Sequence, residues 1–303
     1  MSATPHTPGL VRAARYLMSC DPRILYALFA AIVIILTLDL IPIHVPMTVS
    51  PAVRKYFGTI ENLPTDKPAI IDIEFGAGNL AECGGQLDTT LRHLMARGVP
   101  VALLTWVPNT EGQKFALDFA ERIGREMEKR PGTDYCLFAS IMPAGGGPLT
   151  ALAIDLPATV KQDKTGHPIR DLPMMRNVRD IRDVGVVIRI AYMWDLQPWL
   201  GFVQGPFGTK FLAGSAAITS STAYPFMDSG QMSGMLPGAS GAAQYEQLVM
   251  ARYGRLGRDG EGLGTRTTRT QSLVSAYVVF AILVGNIAYL VERWHRRREG
   301  GKA

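Results

Sequence analysis

An α/β fold of the Rossmann-like kind is what this sequence predicts: a mostly parallel sheet of about five strands covered by helices, flanked by an N-terminal and a C-terminal transmembrane helix. Three observations carry the prediction. Short β-branched runs alternate with segments of helical periodicity through the middle of the chain, and an apolar run of about 20 residues lies near each end. Charged residues make up 19% of the 303 positions, below the ~25% of an ordinary soluble domain. Gly at 31 and Pro at 20 are too few for a collagen-like or low-complexity chain, and three cysteines are too few for a disulfide scaffold.

Residues 1–23 form a basic leader carrying Arg12, Arg15 and Arg23. The run at 24–43, ILYALFAAIVIILTLDLIPI, has the length a helix needs to cross ~30 Å of hydrocarbon. Its Asp39 and Pro42 stand near the far end, where a carboxylate reaches the interface and a proline costs the helix little. A cleaved signal peptide opens in the same way, but the leader is long and no A-x-A pattern follows, so an uncleaved signal anchor is expected.

The central domain is expected over 50–250. Ser50-Pro51 caps a short connector helix with Val53, Phe57 and Ile60 on one face. AIIDIEF at 69–75 is a strand running into the turn GAGN. Leu80, Leu87, Leu91 and Leu94 recur at helical spacing until Gly98, and PVALLTW at 100–106 is a second strand. Thr110 and Gln113 form a capping-box pair ahead of a helix with Phe115, Phe119, Ile123 and Met127 on one face. A strand at 135–141, a PAGGGP loop, a weak helix over 149–160, a strand at 184–191, a helix at 197–203 and a strand beginning at Lys210 continue the alternation. The polar stretch 161–183 interrupts it, as a solvated excursion or, alternatively, a lid. A final helix is expected from Gly238, then a flexible basic linker over 251–272. The second span, LVSAYVVFAILVGNIAYLV at 273–291, offers Ser275, Gly285 and Asn286 for helix contact in lipid and ends against the basic tail 292–303.

Charge is unevenly spread. Residues 50–270 hold 23 Lys and Arg against 22 Asp and Glu, a net of +1, so +4 of the formal +5 belongs to the two ends. A nucleic-acid partner needs a basic stripe on the folded part, and none is expected here. RWHRRR abuts the second span directly, which favours both tails in the cytoplasm and the domain outside it, as a two-pass protein of the cell membrane. The flanks on the domain side carry nearly as many basic residues, seven against eight, so the margin is thin. Of the cysteines, only Cys83 and Cys136 fall in the domain, and nothing in their spacing demands a disulfide.

The segment SGQMSGMLPGASGAAQYE at 229–246 resembles one in uncharacterised prokaryotic membrane proteins that hold an α/β domain between two anchors. The resemblance implies the layout and carries no activity and no ligand.

In an open parallel sheet, ligands bind beyond the carboxyl ends of the strands. The loops there are rich in glycine and hydroxyl groups, and the candidate ligand-binding residues are Glu74, Gly76, Gly78, Asn79, Gly145, Gly146, Gly147, Asp195, Ser215 and Ser220. Gly145 to Gly147 ahead of a helix let backbone N–H groups approach an anion, or simply make a turn. Gly76 and Gly78 form only part of a dinucleotide fingerprint, because its third glycine falls at Ala81 and no acidic residue ends the second strand. Asp72 and Glu74, two apart on one strand, face the same way: acid–base or cation-binding carboxylates, or a structural pair held by a basic residue such as Arg189. The domain's His93 and His167 fit no metal spacing, and H-E-x-x-H, C-x-x-C and G-x-S-x-G are absent, so no catalytic residue, metal or cofactor is assigned. The expected role is that of a structural or assembly subunit of a larger membrane complex, self-associating or joined to other membrane subunits in the lipid bilayer. The alternative is a small-molecule-binding or sensory domain using the strand-end loops, with an enzyme behind both.

Overall fold

The computed structural model describes residues 9–38, 46–105, 110–139, 146–192, 196–254 and 262–300. The chain divides into two compact units, Met1–Val45 with Arg269–Ala303, and Pro46–Thr268. It opens with α1 (Gly9–Met18) and α2 (Pro22–Thr37), both in the first unit.

The second unit begins with α3 (Pro51–Glu61), β1 (Ala69–Glu74) and α4 (Gly85–Arg97). Then come β2 (Val101–Leu104), α5 (Thr110–Glu126), β3 (Tyr135–Leu137), α6 (Gly146–Ile154) and α7 (Leu156–Val160). After β4 (Val186–Ala191), the short α8 (Gln197–Trp199) and α9 (Gly205–Phe207) stand either side of a π-turn at Leu200–Gln204. The unit continues with β5 (Phe211–Ser215), α10 (Ala217–Ser220), α11 (Tyr224–Asp228), β6 (Gly234–Pro237) and α12 (Gly238–Tyr253), and α13 (Leu263–Gly300) begins in it.

The sheet has six strands in the order β3-β2-β1-β4-β5-β6, and every neighbouring pair is parallel. This is the doubly wound order, with its topological switch point between β1 and β4. The strand period of two splits the core cleanly. Ile71, Leu103, Leu137 and Ile188 join a layer with α3, α4, α5 and α12, whereas Ile70, Leu104, Cys136 and Val187 join one with α6, α7 and the segments that follow β3 and β4. Cys83 and Cys136 fall in opposite layers, and both are free thiols.

The structure corrects the sequence reading in four places. The sixth strand is β6, hidden in a Gly- and Pro-bearing stretch. Gly234 admits the backbone of α3: a Cβ there would stand 2.3 Å from the Tyr56 nitrogen. For the same reason α3 is core rather than connector, with Tyr56 and Ile60 fully buried. Residues 161–183 are not a solvated excursion. They form 3-10 turns that bury Ile169, Met175, Val178 and Ile181 in the layer over β1 and β2. The supposed flexible linker is helical from Leu263 onward.

In the other unit, α13 is the one single helix among the described residues long and apolar enough to cross a membrane, with a mean hydropathy of 2.1 over its best 18-residue window and 6% of that window buried. The N-terminal run is less clear-cut. Its α2 has 16 residues, short of the ~20 a span needs, and α1 is bent 78° from it. Asp39 and Pro42 lie outside the described residues. Tyr277 Oη donates to the Leu25 carbonyl at 3.0 Å, and Arg15 Nε donates to Glu292 at 3.0 Å, which ties both N-terminal helices to α13.

Candidate functional site

The switch point between β1 and β4 is where the fold would place a ligand, and an ionic cluster stands there. Asp72 and Arg189 are register partners, and both face the layer that holds Trp199. Arg189 gives Nη1 to Asp72 and Nη2 to Glu74, while Trp199 Nε1 donates to Asp72 Oδ2 at 3.0 Å. Asp72 and Arg189 are buried and Glu74 is half-buried. Burial works to lower the guanidinium's pKa, but the two carboxylates outweigh it and hold Arg189 above its ordinary value, firmly charged. The strand carboxylates are therefore the structural pair, clamped by the arginine of the neighbouring strand.

The loop after β1 binds an anion from within the chain. Ala77 N–H donates to Glu111 Oε2 at 3.0 Å, and a Cβ on Gly76 would lie 2.4 Å from that same oxygen. Glycine at 76 lets the carboxylate reach the amide. Gly78 has open space around it and Asn79 closes a 3-10 turn, its N–H bonded to the Gly76 carbonyl at 3.0 Å.

After β3, Gly146 and Gly147 open α6. A Cβ at Gly146 would meet the Phe202 ring at 2.4 Å, so an aromatic face covers this helix start. Gly145 and Asp195 lie outside the described residues. At the end of β5, Ser215 is fully buried with its hydroxyl unbonded, and its carbonyl accepts from Gln86 Nε2 at 2.8 Å. Ser220 spends its hydroxyl on the Ala217 carbonyl at 2.7 Å. The structure brings Glu74, Ser215 and Ser220 to the neighbouring ends of β1, β4 and β5, bridged by Tyr192 N–H to the Glu74 carbonyl and Thr219 Oγ1 to the Tyr192 carbonyl.

Residues that sequence reasoning passed over organise these strand ends. Gln86 is fully buried and its amide reaches the carbonyls of Ser215, Leu236 and Gly238, tying α4 to β5, β6 and α12. Glu82 accepts from Ala217 N–H at 2.7 Å at the start of α10. The π-turns Leu80–Gly84 and Leu200–Gln204 follow the two strands that flank the switch point, and such turns concentrate at functional sites. The available signal was polar residues inside an apolar helical repeat, but their partners are more than a hundred residues away.

A second buried joint lies where α13 starts. Glu246 of α12, 1% exposed, accepts from Gly264 N–H at 2.6 Å, Thr265 N–H at 2.7 Å and Thr265 Oγ1 at 2.5 Å, with Thr89 Oγ1 at 3.3 Å. It caps the first turn of α13 as an N-terminal carboxylate should. Burial raises its pKa, and these hydrogen bonds offset part of the rise.

Among the described residues, no three His, Cys, Asp or Glu side chains gather as a metal site. Burial pushes the Cys83 thiol up to about 12 and raises that of Cys136 as well, the reverse of what a nucleophile needs. No protein-family model, curated protein or solved structure matches the chain.

Proposed function

We propose that this chain is a membrane-anchored assembly subunit, its α/β domain serving as a structural element of a larger, self-associating membrane complex. One observation carries the reading. At the strand ends where a ligand would bind, Arg189 occupies both Asp72 and Glu74, while Tyr192, Phe202, Ile218 and Tyr224, which follow β4 and β5, turn apolar surface outward. Closed ionic groups beside exposed apolar ones suit contact with protein better than binding of a small polar molecule.

In this reading α13 spans the membrane, and the apolar sequence run at 24–43 supplies a second span. Support comes from the sense of the contacts: Arg15 meets Glu292 and Leu25 meets Tyr277, so the N-terminal chain descends α13 in the opposite direction. Both tails then lie on one side, and RWHRRR beside the second span supports that side being the cytoplasm, with the domain outside it.

Light scattering on the full-length protein in mild detergent tests the proposal. A discrete oligomer is expected, and a clean monomer of 33.0 kDa overturns it. A second reading, a ligand sensor, draws on the buried Ser215 hydroxyl and Gln86 Oε1, both unbonded at the end of β5, and on the capping of α13 by Glu246. A ligand seated there would act on α4, which touches both sites.

A further inference from the structure

We propose that the cleft where α1 meets the C-terminal end of α13 binds the phosphate of an anionic phospholipid headgroup. The proposal rests on α13 spanning the membrane. The cleft, of about 380 Å³, is lined by Met18, Tyr289, Glu292, Arg293, Arg296 and Arg297.

Its charge is decisively positive. Glu292 is 4% exposed and spends one oxygen on Arg15 Nε at 3.0 Å and the other on Arg296 Nε at 2.8 Å. Arg293 and Arg297 stand four apart, on one face of the helix, and have no ion pair among the described residues. Two guanidinium forks side by side match the oxygens of a phosphodiester. With its lone carboxylate already bonded to two arginines, the cleft keeps a net positive charge, which a headgroup of net negative charge offsets and a zwitterionic one does not. That selects a net negative lipid.

The surroundings select a lipid over a soluble phosphate. Leu283, Ile287 and Leu290 form exposed apolar surface leading up to the cleft, and Tyr289 and Trp294 mark interfacial depth. Across the cleft, α1 is amphipathic. Its Val11 and Ala14 are buried and its Arg15 is bonded to Glu292, while Leu10, Leu17 and Met18 are exposed. Bent 78° from α2, it lies along the interface when α2 follows the membrane normal. The site therefore has arginines at headgroup level and apolar walls below, where acyl chains run.

The test is lipid retention by the full-length protein, read by native mass spectrometry after equilibration with equal amounts of dioleoyl-phosphatidylglycerol and dioleoyl-phosphatidylcholine. The wild type is expected to retain the phosphatidylglycerol preferentially. The double variant Arg293→Gln/Arg297→Gln should lose about twenty-five-fold of that preference, since each arginine near an anionic surface is worth about fivefold. Arg293→Lys/Arg297→Lys should keep part of it. Equal retention of the two lipids by the wild type, or an undiminished preference in the Gln variant, overturns the site. Displacement of the lipid by millimolar inorganic phosphate would also overturn it, in favour of a soluble anion. Flotation with pure phosphatidylcholine vesicles separates the two failures: a chain that floats but shows no preference sinks the site alone, and one that does not float sinks the membrane reading with it.

Discussion

Two helices of this protein invert the usual rule of polar outside and apolar inside, in opposite directions. Residues 85–95 of α4 are all buried, including Gln86, Asp88, Thr89, Thr90, Arg92 and His93. By contrast α13 exposes Val279, Phe280, Ile282, Leu283 and Ile287. The difference lies in partners. Most polar groups of α4 meet a counterpart on a neighbouring element: Asp88 and Arg92 interlock with Arg122 and Glu126 of α5, and His93 sits between Glu61 of α3 and Tyr245 of α12. The exposed apolar groups of α13 named here have no such counterpart among the described residues, and the helix is long and apolar enough to cross a membrane. Burial follows the available counterpart, not the hydropathy of the helix.

The comparison breaks most visibly at its charged interior. Arg92→Met strips Asp88 and Glu126 of their shared buried cation and is expected to cost about 3–5 kcal/mol, read as a lowered urea midpoint for the α/β unit. An unchanged midpoint would mean the quartet contributes nothing. On the other helix the same logic predicts a split result. Phe280→Arg should weaken membrane insertion by about 3 kcal/mol in a glycosylation-based insertion assay, yet leave unfolding of the α/β unit within about 0.5 kcal/mol.

Acid sharpens the contrast, because α4 depends on a neutral histidine. Burial holds the His93 imidazole down to about 4, against the opposing pull of Glu61, and Arg97 adds to the lowering. The neutral ring satisfies both neighbours when Nε2–H donates to Glu61 at 2.8 Å and Nδ1 accepts from Tyr245 at 2.6 Å. Between about pH 6.5 and 4 the unfolded chain binds a proton that the folded chain refuses, so stability falls as pH falls, by up to about 3 kcal/mol across that window. Unfolding free energies at pH 7 and pH 4.5 check this, and His93→Gln should flatten that part of the profile. The smallest effect belongs to the join at α13. Glu246→Gln sets an amide against the Thr265 N–H and should cost about 1–2 kcal/mol, with faster hydrogen exchange confined to residues 263–266. Exchange that stays slow would show that the carboxylate is dispensable there.

Much of the architecture was legible. Strands β1, β2, β4 and β5 are β-branched or apolar runs that no helix period fits, and α5 shows its apolar stripe in Phe115, Phe119 and Ile123. The pairing of Asp72 and Glu74 with Arg189 was legible too, because a period of two puts both carboxylates on one face. Other features were masked by local composition. GMLP reads as a turn, and only the approach of α3 makes it a strand. In 161–183 the charged residues outnumber the apolar ones, but Ile169, Met175 and Ile181 are spaced to reach the sheet. At 263–272 the glycine, threonine and arginine residues argue for a linker, and the helix start is set by a glutamate 17 positions upstream.

By itself, then, the order of residues determined the α/β class, the parallel sense of the sheet, the period-two split of its two layers and the one long apolar helix. These follow from local spacing and from how far a single element reaches. The strand order around the β1–β4 switch point, the closing of its carboxylates by Arg189, the wholly buried α4 and the Glu246 cap on α13 were decided only in three dimensions. Each depends on groups brought together across 18 to 157 positions. A buried polar atom takes whichever partner the packed neighbours present, and no local pattern records which one that is.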